Sequence, residues 1–359
     1  MRMNRFCFTA LLLALLAALP LGAQDYVYTE ASDLTLVGKL FPDTPNPYHR
    51  VDTVRYKGFT KGENLQVRES SGIAVAFRTN SPSLRIHTRF GEMQNYSNTG
   101  GISLSGYDLY ILQDGTWLWA GSGPRNAQFE DVALASGLDG WHDCLLYLPL
   151  FSEEYSVQIG VEAGSALEAL PNPFRHRIGV YGSSFTHGAS TSRPGMTYPA
   201  QFARHTGLQM LSLGCSGNCK MQPYFADALM DAEVDAFLFD TFSNPTEKQI
   251  EARLFPFIEK MVSSHPGKPL IFQRTIYREN RNFDTASEKK EASRAVLVDS
   301  LMAIACARYP DVYLITPNAT SELHETSVDG IHPGDYGYTR WAASIEQQVL
   351  EILKKYGIE

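Results

Sequence analysis

The sequence predicts two domains in tandem: an all-β sandwich, then an α/β domain built on a five-stranded parallel sheet. Three observations predict this. The 359 residues, 44% apolar and 19% charged, have the composition of a globular chain and the length for two cores. Residues 24 to about 172 hold many short runs of β-forming residues, separated by Gly, Asn, Asp and Ser. After "LPNPFRHR", apolar runs alternate with stretches of helical period, as in a parallel sheet covered on both faces.

At the start, "MRMNRFCFTALLLALLAALPLGAQD" sets Arg2 and Arg5 ahead of an apolar run and Leu21-Gly22-Ala23 before Gln24. The run from Phe6 to Leu19 is too short to span a bilayer. Residues 1–23 therefore predict a cleavable signal peptide. A periplasmic or secreted chain follows, with no membrane insertion once the signal is gone. Cleavage removes two positive charges and no acid, so the net charge of −8 becomes −10. An acidic chain without basic clusters is a poor match for nucleic acid or an anionic membrane surface, and neither is expected as a partner.

Residues 24–172 form the predicted sandwich or jelly roll. In "GIAVAFRTN", Ile73, Val75 and Phe77 alternate with small or polar neighbours; "SLRIHTRF", "TWLWAG", "CLLYLPL" and "YSVQIGVE" are further strands. Residues 173–359 form the α/β domain. Strands are expected at 177–183, 208–214, 234–242, 268–275 and 311–316, and helices at 195–206, 221–231, 246–264, 287–308 and 335–356. Pro256 interrupts the third helix and predicts a kink. Cys144, Cys215, Cys219 and Cys306 follow the signal; they allow three pairings, or they stay as free buried thiols.

Open α/β sheets bind ligands beyond the carboxyl ends of their strands. The first strand of the α/β domain, "IGVYGSS", delivers Ser183 and Ser184 there. The second is followed by "GCSGNC" with Gly217, and the third by "DTFSNP" with Asn244. The turn before the last helix, "VDGIHPGDYGY", carries Asp329 and His332. These residue types suit acyl transfer. A serine hydroxyl needs a base to take its proton, a part for His332, and the imidazolium needs an orienting carboxylate, a part for Asp329. The oxyanion needs donors already in place: the backbone N–H groups of Ser184 and Gly217 and the amide of Asn244. On the residues alone Ser183 is a rival nucleophile. Nothing in this chemistry calls for a metal or another cofactor.

Taken in chain order, these blocks resemble those of the SGNH hydrolases, or GDSL-type esterases. The resemblance covers residues 173–359, and "DGIHPGDYGY" is its most specific piece. It implies a flavodoxin-like three-layer α/β/α fold, Ser184 as nucleophile, and Ser184, Gly217 and Asn244 as the oxyanion hole. "GYDLY", Gly106 to Tyr110, is similar to the G-x-D-L-Y signature of a β domain that precedes some bacterial SGNH esterases; "SRPGMTYP" and "SLGCSGN" resemble further stretches of that subgroup. Two positions depart from the pattern. The usual G-D-S is G-S-S, with Ser183 in place of the aspartate, and the usual G-x-N-D is "FSNP", with Pro245 after Asn244. The two-domain plan implies an esterase that removes O-acetyl groups from carbohydrate through an acyl-serine. The alternatives are a lipase, arylesterase or thioesterase acting on other acyl esters, and a degenerate glycan binder; the substrate is then an acylated carbohydrate or another small ester.

Other residues carry two readings. His187 lines the pocket or belongs to a polar loop. Arg193 binds an acidic group of the substrate or forms a structural ion pair. Trp117 and Trp119 stack on a sugar or pack the sandwich core. Asp108 is expected at the domain interface. "HETSVDGIH" lacks the helical histidine spacing of a zinc protease.

Overall fold

The computed structural model describes residues 25–123 and 131–359; the signal peptide expected over 1–23 lies outside the described residues. Among the described residues no helix is long and apolar enough to cross a membrane.

The first part is built from strands β1 (Tyr26–Glu30), β2 (Thr35–Val37), β3 (Ala74–Thr79), β4 (Ser83–Met93), β5 (Asp108–Gln113), β6 (Thr116–Ser122), β7 (Asp131–Ser136), β8 (His142–Tyr147), β9 (Ser152–Glu162) and β10 (Leu167–Ala169). They form two antiparallel sheets, β1-β9-β4-β7 and β10-β3-β8-β5-β6, with β2 beside β3. Alternation along "GIAVAFRTN" sorts the faces. Ile73, Val75 and Phe77 pack with Ile86, Ile159 and Val161 of the other sheet, which makes the sandwich core. Ala74 and Ala76 turn the other way and pack with Tyr110, Leu145, Tyr147 and Ala200. The larger sheet is thus buried on both faces, which is why "CLLYLPL" reads as a continuous apolar run.

The second part carries β11 (Arg175–Gly182), β12 (Leu208–Gly214), β13 (Ala236–Asp240), β14 (Leu270–Gln273) and β15 (Val312–Ile315), all parallel in the order β12-β11-β13-β14-β15. The helices of the chain are α1 (Lys61–Gln66), α2 (Gly101–Ser105), α3 (Ser184–His187), α4 (Tyr198–Thr206), α5 (Pro223–Met230), α6 (Glu247–Ser264), α7 (Thr285–Arg308) and α8 (Asp335–Lys354). Alternate strand residues choose opposite layers. Tyr181, Leu213, Phe239 and Phe272 pack with Phe225, Ile258 and Met302 of α5, α6 and α7. Val180, Met210, Leu238 and Ile271 pack with Phe202 of α4 and Trp341 and Ile345 of α8. The expected three-layer α/β/α domain is the one observed. Helix α6 continues past Pro256 to Ser264. The proline and Ala252, whose carbonyl loses its helical donor, are both exposed, so water can satisfy that carbonyl. Among the described residues the four cysteines, Cys144, Cys215, Cys219 and Cys306, are free thiols, and all but Cys306 are buried.

One segment was not legible as it folds. Between β2 and β3 the chain leaves the sandwich and buries Leu40, Phe41, Val51 and Val67 in the core of the α/β domain. Arg50 is fully buried there and donates through Nε to the Glu69 carbonyl at 2.8 Å and through a terminal nitrogen to the Gln66 carbonyl. Helix α1 starts on a capping box in which Thr60 and Glu63 exchange side-chain and backbone hydrogen bonds. Its Gln66 donates to the Ser216 carbonyl at 2.9 Å, tying this strap to the loop after β12.

The "GYDLY" signature is a joint between the two parts. Asp108 is fully buried and accepts from Arg193 at 2.7 and 2.8 Å and from the Gly195 amide at 2.8 Å. Tyr110 Oη accepts from Arg193 at 2.6 Å, and the Arg204 guanidinium lies 3.9 Å from the Tyr110 ring centroid. A Cβ on Gly195 would come within 2.6 Å of Asp108 Oδ2 and 2.5 Å of the Tyr110 ring, so the loop can seat only glycine there. Asp108→Ala strands a cation and a backbone amide. It is expected to lower the unfolding free energy by about 3 kcal/mol, read from the urea midpoint. A loss under about 1 kcal/mol, the scale of an exposed pair, would remove this joint from the account of stability.

Candidate active site

The chain pairs β11 with β12 on one side and with β13 on the other, so a crevice opens beyond their carboxyl ends. Ser184 follows β11 as the first residue of α3 and is 8% exposed. Its Oγ lies 2.8 Å from His332 Nε2. His332 Nδ1 lies 2.8 Å from Asp329 Oδ2, while Asp329 Oδ1 accepts from the backbone N–H groups of His332 and Ile331 at 2.7 and 2.9 Å. The D-x-x-H spacing is therefore a turn in which the carboxylate grips both the backbone and the ring of its histidine. Burial alone would raise the Asp329 pKa. The hydrogen bonds from His332, Asn98 and Ile331 outweigh it and hold the value at about 2.

Ser183 is turned away from this line. Its Oγ and its N–H both donate to Asp240 Oδ2, at 2.7 and 3.0 Å. A carboxylate is still present beneath the turn despite G-S-S, and β13 supplies it. Burial pushes the Asp240 pKa up to about 6 against the hydrogen bonds from Ser183, Thr186 and Ser243.

Gly217 has φ +71°, and a Cβ there would meet nothing within 4 Å. The left-handed backbone, rather than crowding, is what calls for glycine. Asn244 Oδ1 accepts from the Cys219 amide at 3.2 Å, which leaves Nδ2 as the other edge of the group. The Ser184 N–H belongs to a first helical turn, where amides lack a partner within the helix. Ser184, Gly217, Asn244 and His332 line one cleft with about 1010 Å³ of empty space.

Two expected substrate contacts lie elsewhere. His187 is fully buried outside the cleft, stacked at 4.2 Å on Phe151, with Nε2 donating to the Leu150 carbonyl at 2.7 Å. The polar loop expected around it is closed over by β-domain residues 150–151, a contact that local sequence does not encode. Its Nδ1 accepts from Ser216 Oγ at 3.2 Å, so it braces the residue before Gly217. Arg193 is committed to Asp108 and Tyr110, as the ion-pair reading held. Trp117 packs partly on the interdomain cluster and Trp119 is 55% exposed beside Arg193; neither joins the sandwich core.

The β domain contributes residues that the sequence reading did not name. Tyr96, Asn98 and Phe151 line the cleft. Asn98 Nδ2 donates to Asp329 Oδ2 at 2.8 Å. From the α/β side, Arg278, Lys290 and Arg294 line it. Arg278 follows β14, so the strand-end rule that located Asn244 also points to it.

Both parts of the chain match known families. Residues 175–351 match the GDSL-like Lipase/Acylhydrolase family, and residues 25–167 match the N-terminus of the Esterase_SGNH_hydro-type proteins, the GxDLY domain. No curated protein matches the sequence. Among solved structures, a GDSL-like lipase from Bacteroides ovatus is 34% identical with a TM-score of 0.88, over 92% of this chain and 98% of that one. A salicylyl-acyltransferase from a tetracycline biosynthetic pathway shares the fold at 22% identity and TM-score 0.69, over 91% and 98% of the two chains. A family two carbohydrate esterase from Cellvibrio japonicus does so at 12% identity and TM-score 0.60, over 92% and 99%. A relative alike over nearly its whole length, and a family match that spans all five parallel strands and the loops at their ends, place this chain in the GDSL-like (SGNH) lipase/acylhydrolase family, behind an N-terminal GxDLY domain.

Proposed function

We propose that this chain is an exported serine esterase that removes O-acetyl groups from carbohydrate through an acyl-serine intermediate. The observation that carries the chemistry is the unbroken line from Ser184 Oγ to His332 to Asp329, with 2.8 Å at each step. In this reading His332 Nε2 takes the Ser184 proton as Oγ bonds to the carbonyl carbon. The Ser184 and Gly217 N–H groups and Asn244 Nδ2 receive the oxyanion. His332 then gives its proton to the leaving alkoxide. Water, activated by the same imidazole, releases the acyl group. Asp329, already anionic, stabilises the imidazolium at both stages.

Support for a carbohydrate alcohol is the two-domain plan that the chain shares with carbohydrate esterases. Support for export is the charged, apolar and small-residue sequence over 1–23. A fluorophosphonate probe is expected to label the wild type and Ser183→Ala but not Ser184→Ala. Acetylated xylan or mannan is expected to turn over faster than long-chain nitrophenyl esters; the reverse order would favour a lipase. No labelling of the wild type would favour a glycan binder without catalysis.

A further inference from the structure

The charges around the cleft do not balance. Its lining holds Arg278, Lys290 and Arg294. The nearest carboxylates sit behind that lining: Asp329 is taken by His332 and Asn98, and Asp240 by Ser183 and Ser243. Glu291 lies behind the two guanidiniums, lining a separate cavity, and its Oε1 meets Arg278 at 3.2 Å and Arg294 at 3.4 Å. Both guanidiniums also donate to the Ser243 carbonyl, at 2.9 and 3.2 Å, which holds the loop of Asn244. One carboxylate thus serves two cations, and the Nε atoms of both arginines are buried without an acceptor. Lys290 is exposed at the rim with no ion-pair partner among the described residues. Beyond Asn244 the groove continues with Lys289 on one wall and Glu247 on another. The surplus sits in a chain whose net charge is −8, so it is a local arrangement rather than a general excess of base.

The geometry points to a carboxylate-bearing ester as the substrate: the acyl or the alcohol part carries an anion that Lys290 meets, in the field of Arg278 and Arg294. This rests on the esterase reading above and narrows it; on the alcohol side the substrate class is an acetylated uronic acid. Guanidinium and ammonium groups recognise carboxylates through charge-assisted hydrogen bonds. A surplus of partly buried positive charge is costly when nothing anionic binds.

The test compares matched esters. For the acyl side these are 4-nitrophenyl acetate and 4-nitrophenyl hemisuccinate. For the alcohol side they are acetylated methyl glucoside and acetylated methyl glucuronoside. In the wild type at low salt, at least one anionic member is expected to exceed its neutral counterpart in kcat/KM, and the pair that shows it locates the anion. That ratio is expected to fall roughly 10-fold in Lys290→Gln, further in Lys290→Glu, and to shrink as sodium chloride is added. Neutral members turned over as well as both anionic ones, or a ratio unmoved by both variants, would overturn the inference and leave the esterase intact. No turnover of any ester by the wild type would sink the esterase reading, and this inference with it.

Discussion

Ser184→Ala is expected to lower kcat on a neutral acetyl ester by about 10⁶-fold, with the fold and the thermal midpoint little changed. The hydroxyl is the only atom of that residue aimed at His332, at 2.8 Å, and alanine keeps the helix start that the backbone needs. What survives is the polarisation of the carbonyl by the remaining donors, which still exceeds the reaction in water. Ser183→Ala is expected to behave in the opposite way. Its hydroxyl donates to the buried Asp240, so its loss weakens the turn and the stability while the nucleophile remains. Steady-state rates alongside urea midpoints separate the two. A Ser184→Ala enzyme within tenfold of wild type would move the nucleophile elsewhere.

Asp329→Asn is expected to cost about 10⁴ in kcat. The carboxylate accepts from the imidazole Nδ1–H and so leaves Nε2 free to take the serine proton. An amide nitrogen in the same place donates instead, and the imidazole must turn its proton toward Ser184, where it cannot act as a base. The pH dependence distinguishes the two carboxyls near the site. Asp329, held at about 2 against an ordinary 3.8, gives a stabilising charge that is fully present above 3.8 and lost as pH falls through about 2. It is therefore a constant anion between pH 4 and 8, and any acid limb in that window has another source. Asp240, raised to about 6, takes up its proton inside the window, and in the folded state it binds that proton more tightly than when unfolded. An acid limb that persists in Asp240→Asn is the signature of His332 acting as base. If the limb disappears in that variant, Asp240 controls the rate instead.

Much of this was written in short-range patterns. The five parallel strands and their helices were legible because each strand is a local apolar run and each long helix a local period. The grouping of Ser184, Gly217, Asn244 and His332 was legible because a parallel sheet sends all its carboxyl ends to one edge, so four separate loops could be read as one place. Residues 1–23 aside, what was not legible is long-range. Asn98 reaches Asp329 across 231 residues of sequence, and nothing in "QNYSNTG" records that contact. His187 looks like a loop histidine until Phe151 closes over it. The segment 38–67 has too little periodicity to announce a partner, and its position in the chain alone points to the sandwich.

That segment has a consequence for how such proteins can be altered. A chimaera that kept the catalytic half and borrowed a foreign front half would lose the plug formed by Leu40, Phe41 and Val51 and the amide beside Asp329 together. The two halves are not interchangeable cassettes. Each inherits part of its interior from the other, and a lineage that changes one must revise its complement in step.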